Sequence, residues 1–338
     1  MFWGPTMKRS SSNRQRAGLT LVELLVVLVI LAIITTIAVQ STSYLVDQAR
    51  YETTQRTMQN AQDAIVGPVN QRNPDGTILV SGFVADTGRL PLTIDELLVN
   101  KNSLIPFSLY ASVPAVSGGT VPAVQSPMGW NGPYVNSGNG QVALNDGWGF
   151  PLQINAGQLV SVGADGQIDN PTTPPVGYSK DIVFALPGYY SGAMAFAPSV
   201  NSVTYAAPAP APVPPTLDTI AGVVTGQIQI SVVDPTTMAT SQQNPKGSDG
   251  DLVLHVIAPN PNVANPVAPT QNGSLQEYTF SFNLTAQAAA DGTKAVTYQL
   301  AGIPVGPRVI WATQGTKSSP YQRVMVRPTA QVINLVMQ

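Results

Sequence analysis

The chain has 338 residues, enough for two or three modest domains and a sizeable core. Only 10% of residues are charged, against about 25% in an average soluble protein, while Gly 29 and Pro 30 are plentiful; this excludes a coiled coil, an all-helical bundle and a charged disordered tail. A net charge of −2 excludes a strong nucleic-acid footprint, the absence of Cys excludes disulfides and thiolate sites, and the single His255 leaves little for a histidine-based active site.

The first 18 residues carry Lys8, Arg9, Arg14 and Arg16 and no acid. Met7 offers a second start, because a short basic leader follows it directly. Leu19 to Val39 is a run of 21 residues, 17 of them apolar, without Gly or Pro. As a helix it would reach roughly 31 Å, about one bilayer core, with the basic leader on the cytoplasmic side. An ordinary secretory signal fits less well, since Thr35-Thr36-Ile37-Ala38-Val39-Gln40 is a poor cleavage site. One residue departs from a plain anchor. Glu23 sits inside the apolar run, where an acid costs on the order of 2.5–3.5 kcal/mol at mid-membrane depth unless it is paired. Residue chemistry alone leaves two readings open: Glu23 reaches the interface, or it meets a cation.

The helix is expected to continue to about residue 66. Tyr44, Tyr51, Met58 and Ile65 recur every seven residues, Thr54 and Ala61 join that stripe, and Gly67-Pro68 forms a stop. Residues 67–204 read as a small head of short strands and long loops, with no charge between Asn102 and Asn145. Five prolines in residues 205–216 predict a semi-rigid extended linker and a domain boundary. Residues 217–338 alternate as strands: 227–232, 252–257, 278–284, 296–300, 308–312, 323–326 and 332–337. Seven or so strands in this length predict a β-sandwich. The fold class is therefore α+β: a long N-terminal helix packed on a small antiparallel-sheet head, followed by a β-sandwich.

Three segments invite a chemical reading. Asp86-Thr87-Gly88 occurs once, whereas an aspartic dyad needs two carboxylates, so the competing reading is a turn with a short helix after it. Leu159 to Asp169 reads as a strand running into an Asp-Gly loop. Asp165, Asp169 and Asp181 could supply oxygens to Ca²⁺, or the loop is a solvated turn. Gly247-Ser248-Asp249-Gly250-Asp251 reads as a β-turn, with a second cation loop as the lesser alternative. No P-loop, Rossmann glycine pattern, His-Glu-x-x-His or Gly-x-Ser-x-Gly motif is present, and no enzymatic activity is expected.

The segment Arg16-Ala17-Gly18-Leu19-Thr20-Leu21-Val22-Glu23-Leu24-Leu25 resembles the class III leader of type IV pilins and type II secretion pseudopilins. The resemblance implies cleavage after Gly18 by prepilin peptidase and methylation of the new amine on Leu19. It also implies that Glu23 pairs with the amine of a neighbouring subunit. Cleavage would leave 320 residues with a net charge near −6. Trp148-Gly149-Phe150-Pro151, Ser161-Val162-Gly163-Ala164-Asp165-Gly166 and Asp181-Ile182 resemble the major pseudopilin head. In that family the loop holds a structural calcium, which implies Asp165 and Asp181 as ligands, with Asp169 and Ser161 as further candidates. The pattern departs at Asp146-Gly147, where the family has Asp-Pro, at Gln40, where many members have Pro, and in the 150 residues beyond its usual end.

The expected function is thus a pilin-like structural subunit, processed by prepilin peptidase. It would assemble with copies of itself or with other pilins through inner-membrane machinery, into a type II secretion pseudopilus or type IV pilus-like filament. It would be stored as a single-pass inner-membrane protein with its head in the periplasm. The alternative is a membrane-anchored, adhesin-like protein that binds a surface through its C-terminal β domain.

Overall fold

The computed structural model describes residues 20–68, 81–101, 104–112, 124–136, 143–205, 217–259, 275–286 and 292–338, without the side chains of 37–41, 110–112, 124 and 217. The predicted leader, with Gly18 and Leu19, and residues 206–216 of the predicted linker lie outside the described residues. The chain divides into two compact units, one ending at Arg50 and one running from Tyr51 to Gln338.

In the first unit the described residues after Thr20 are helical. They open helix α1 (Leu21–Val66), whose run has no Gly or Pro to break it. The apolar side chains from Leu21 to Ile34 are exposed all round, Leu24 at 58% and Ile34 at 56%, so no single face is set aside for a core. Just beyond it, Thr35 and Thr36 donate their hydroxyls to the carbonyls of Leu31 and Ala32, at 2.7 and 2.8 Å, which satisfies both hydroxyls within the helix. Among the described residues no helix is long and apolar enough to cross a membrane. The predicted span 19–39 lies partly outside them, at Leu19 and at the side chains of 37–39.

In the second unit the predicted stripe is observed from Thr54 onward: Thr54, Met58, Ala61 and Ile65 are fully buried, while Tyr51 is only partly so. Helix α1 stops at Val66, ahead of Gly67-Pro68. Helix α2 (Phe83–Thr87), a 3₁₀ turn (Ile94–Leu97) and a hairpin of β1 (Ser108–Ser112) and β2 (Val124–Met128) follow. Then β3 (Gln153–Asn155), β4 (Gln158–Ser161) and β5 (Ile182–Ala185) form a three-stranded antiparallel sheet. Phe83, Leu97, Leu159 and Ile182 pack with Met58 and Ile65 into the core under α1.

The sandwich has two sheets. The larger is built from β6 (Tyr189–Gly192), β7 (Ala195–Val200), β8 (Val203–Thr204), the 17-residue β9 (Leu217–Val233) and β10 (Thr240–Gln243). The chain then supplies β11 (Leu252–Pro259) and β12 (Leu275–Phe282) to the second sheet, and β13 (Val296–Pro304) returns to the first. Next, β14 (Gly306–Gln314), β15 (Lys317–Ser318) and β16 (Gln322–Val326) join the second sheet. Finally β17 (Ala330–Val332) and β18 (Leu335–Met337) pair parallel with β9. The path β10-β9-β13-β7-β8 faces β12-β11-β14-β15. Alternate residues fill the space between: Phe196, Val224, Ile228, Tyr298 and Leu300 from one sheet, Leu254, Val256, Phe280 and Ile310 from the other.

Sheet membership does not follow the division drawn at 205–216. Strands β6, β7 and β8 precede that segment, yet β7 pairs with β13 from Ala195↔Ala301 to Val200↔Val296, and β6 pairs with β9. Conversely, Ile220 and Val305 from the sandwich are buried in the core under α1. The Leu90 amide donates to the Asp218 carbonyl, and the Thr219 hydroxyl donates to the Gly88 carbonyl. Composition draws the boundary from prolines, and it does not reveal which strands before and after that segment hydrogen-bond to each other.

Helix α2 packs closely against the β13–β14 turn. Gly306 has φ 116°, and a Cβ there would lie 2.5 Å from the Ala85 carbonyl oxygen, so only Gly fits. Arg308, 1% exposed, gives its guanidinium to the carbonyls of Pro304, Val305, Pro307 and Ala85. A buried cation needs such partners. Here they tie α2 to the sandwich.

Candidate functional sites

At the start of α1, Glu23 lies in the first helical turn. Its backbone amide donates to Thr20 Oγ1 at 3.2 Å, and Glu23 Oε2 faces the Thr20 amide at 3.4 Å and the Thr20 hydroxyl at 3.5 Å. This is a capping box, in which each residue serves an amide that the helix itself leaves unpaired. The sequence reading missed this contact; the Thr-x-x-Glu spacing of Thr20 and Glu23 is the signal that discloses it. A carboxylate at a helix N-terminus is also favoured by the helix dipole. Glu23 is therefore held within its own chain, four residues after Leu19, where the predicted cleavage would leave an amine.

The second candidate is the loop between β4 and β5. Asp169 and Asp181 grip each other reciprocally: the Asp169 amide donates to Asp181 Oδ2 and the Asp181 amide to Asp169 Oδ2, both at 3.0 Å. Their other oxygens, Asp169 Oδ1 and Asp181 Oδ1, are buried without a hydrogen-bond partner. Two such carboxylate oxygens are expensive to leave unpaired. Burial, and after it the charges of Asp169 and Asp165, hold the Asp181 carboxyl above its ordinary range, against the Asp169 amide that lowers it. Asp165 is exposed and its Oδ1 accepts the Gln167 amide. Gly163, with φ 65°, lets the loop close: a Cβ there would lie 2.9 Å from each of the carbonyl oxygens of Tyr178, Ser179 and Lys180.

Ser161 does not join this pair. It is fully buried and donates its hydroxyl to Asp146 Oδ2 at 2.7 Å. The other oxygen of Asp146 accepts the amides of Trp148 and Phe150 at 3.0 and 2.9 Å, and the Gly147 amide donates to Thr54 Oγ1 of α1 at 2.8 Å. The Asp146-Gly147 departure is thus a buried turn that fastens the Trp148 segment to both β4 and the helix. Among the described residues no three His, Cys, Asp or Glu side chains are grouped so as to hold a metal ion. Asp169 and Asp181 nevertheless fit a hard divalent cation by charge, oxygen chemistry and their two unsatisfied atoms, provided backbone carbonyls complete the shell.

Asp86-Thr87-Gly88 closes α2. Thr87 Oγ1 donates to the Phe83 carbonyl, and Gly88 takes the left-handed cap. Asp86 Oδ2 accepts the Tyr134 hydroxyl at 2.9 Å, and Tyr134 accepts the Asn131 amide. Burial raises the Asp86 carboxyl to about 6 against the lowering effects of the Tyr134 hydrogen bond and the Arg308 charge. Close by, Arg89 and Glu96 form a buried two-pronged pair at 2.8 and 3.0 Å. Asp249, in the turn expected at 247–251, pairs with Lys317 at 2.7 Å.

His255 is a buried strand residue, as its sequence setting predicts. Its Nδ1 meets Glu277 Oε1 at 2.6 Å, its Nε2 meets Thr313 Oγ1 at 2.9 Å, and its ring stacks on Trp311 at 4.6 Å. The three polar side chains link β12, β11 and β14 across one face of the second sheet. None of these partners was legible beforehand, because they are 22 and 58 residues away along the chain.

Neither a curated protein nor a solved structure matches the chain. Residues 13–39 match the family model described as the prokaryotic N-terminal methylation motif, the class III leader of type IV pilin-like proteins.

Proposed function

We propose that this chain is a structural subunit of a pilin-like filament, either a type II secretion pseudopilus or a type IV pilus-like fibre. The observation that carries the reading is the methylation motif at 13–39 running into a helix whose apolar side chains are exposed on every side up to Ile34. Such a surface requires lipid or other helices. The subunit waits in the inner membrane with its head in the periplasm. Prepilin peptidase cuts after Gly18 and methylates Leu19. Glu23, released from its capping contact with Thr20, then pairs with the Leu19 amine of a neighbouring copy or another pilin. Repetition of that one heterologous contact generates a helical polymer. Mass spectrometry of the mature protein tests the first step: a chain beginning with methylated Leu19 is expected, and an intact leader overturns the reading. Glu23→Leu tests the second: incorporation into filaments is lost while membrane insertion and head folding persist, and normal incorporation removes the pairing role.

Calcium is part of this proposal. Asp169 and Asp181 would hold it, with Asp165 at the exposed side of the loop, and bound Ca²⁺ would neutralise the like charges that strain Asp181. Adding calcium is expected to raise Tm and chelator to lower it, and Asp181→Asn to abolish the difference. No shift in the wild-type protein removes the ligand assignment.

A further inference from the structure

The outer face of the larger sheet carries a groove of about 440 Å³, within the size range of ligand sites. Strand register orders its floor. Thr204 lies opposite Ser199, Ser199 opposite Thr297, and Thr297 opposite Gln227, so one row of hydroxyl and amide side chains crosses β8, β7, β13 and β9. Gln299 lies opposite Thr225 in the next row, beside the exposed Val332. Adjacent positions across the strands are about 4.8 Å apart and successive rows about 7 Å apart.

The lining contains no Asp, Glu, Lys, Arg or His, so it offers no opposite charge to an ionic ligand. It does offer paired donors and acceptors. The exposed side chains of Thr297 and Gln299 hold no hydrogen-bond partner among the described residues. Their neighbours are pinned: Ser199 to Thr204 at 3.0 Å, and Thr225 to the Gln331 carbonyl at 3.2 Å. Val332, 76% exposed, adds apolar surface beside this polar floor. The occupant this surface complements is uncharged, gives and accepts hydrogen bonds along its length, and presents C–H faces as well.

We propose that this groove binds an uncharged oligosaccharide, with Thr297 and Gln299 making the hydrogen bonds that select it. The assignment is independent of the filament reading, because it rests on strands of the sandwich and not on the leader or helix. The test uses the full chain in a sugar-free detergent and titrates cellohexaose, maltohexaose, chitohexaose and a heparin hexasaccharide by calorimetry. At least one neutral hexasaccharide is expected to bind saturably, with an affinity unchanged between low and high salt. The double variant T297V/Q299A, whose side chains lie on the solvent face, is expected to keep the wild-type Tm and to bind at least tenfold more weakly. Absence of neutral-sugar binding overturns the proposal. So does equal binding by the folded double variant, or binding confined to the heparin fragment and lost at high salt.

Discussion

Asp86 shows how one residue changes role between sequence and structure. Its triplet suggests proteolytic chemistry, yet its carboxylate accepts the Tyr134 hydroxyl beneath Arg308 and is lifted by burial to about 6. The sign of its effect on stability follows. Between its ordinary value near 4 and about 6 the unfolded chain has released this proton while the folded chain retains it. Its contribution is therefore full below pH 4 and is lost as pH rises through 6. The stability difference between wild type and Asp86→Asn is expected to vary with pH in that window and to level off above it, as measured by urea titration at stepped pH. Arg308 belongs to the same knot. Replacing it with Met leaves up to four buried carbonyls without their donor and is expected to cost about 3 kcal/mol. Neither effect is readable from local sequence, because Asp86 and Arg308 are brought together only by the fold.

Among the elements, α1 and the β13–β14 turn make complementary cases. The helix announces itself through an unbroken run without Gly or Pro, a periodic stripe and a Gly-Pro stop. Thr20→Ala removes the cap and is expected to cost about 1 kcal/mol, seen as roughly fivefold faster amide exchange in the first turn. The turn is silent in sequence, because Gly306 looks like any loop glycine. Its Cβ position is occupied by Ala85, so Gly306→Ala must displace α2. Gly177 also has positive φ, 67°, but open space around it. Gly306→Ala is expected to lower Tm several degrees more than Gly177→Ala, because only the first adds a backbone collision to left-handed strain.

For the molecule as a whole, the second unit behaves as a single structure from Tyr51 to Gln338. Strands β6 to β8 complete the sandwich, and Ile220 and Val305 complete the core under α1. A chain truncated after Tyr205 is therefore expected to lack a cooperative melt by circular dichroism, since it keeps β7 without β13 and the helix core without two of its side chains. Truncation at a true inter-domain linker would leave a folded head.

The sequence by itself determined the features whose cause is local. These are the basic leader, the apolar run with an acid inside it, the helical stripe, and the seven strand segments read between residues 227 and 337. Each depends on periodicity or spacing within a few turns of chain. Only the tertiary structure decided the rest. It placed Ser161 on Asp146 instead of with the Asp169–Asp181 pair, drew β6 to β8 into the sandwich, and gave His255, Arg308 and Gly306 their partners. These outcomes depend on which distant backbone groups meet, and a buried polar group accepts whichever partner the fold delivers.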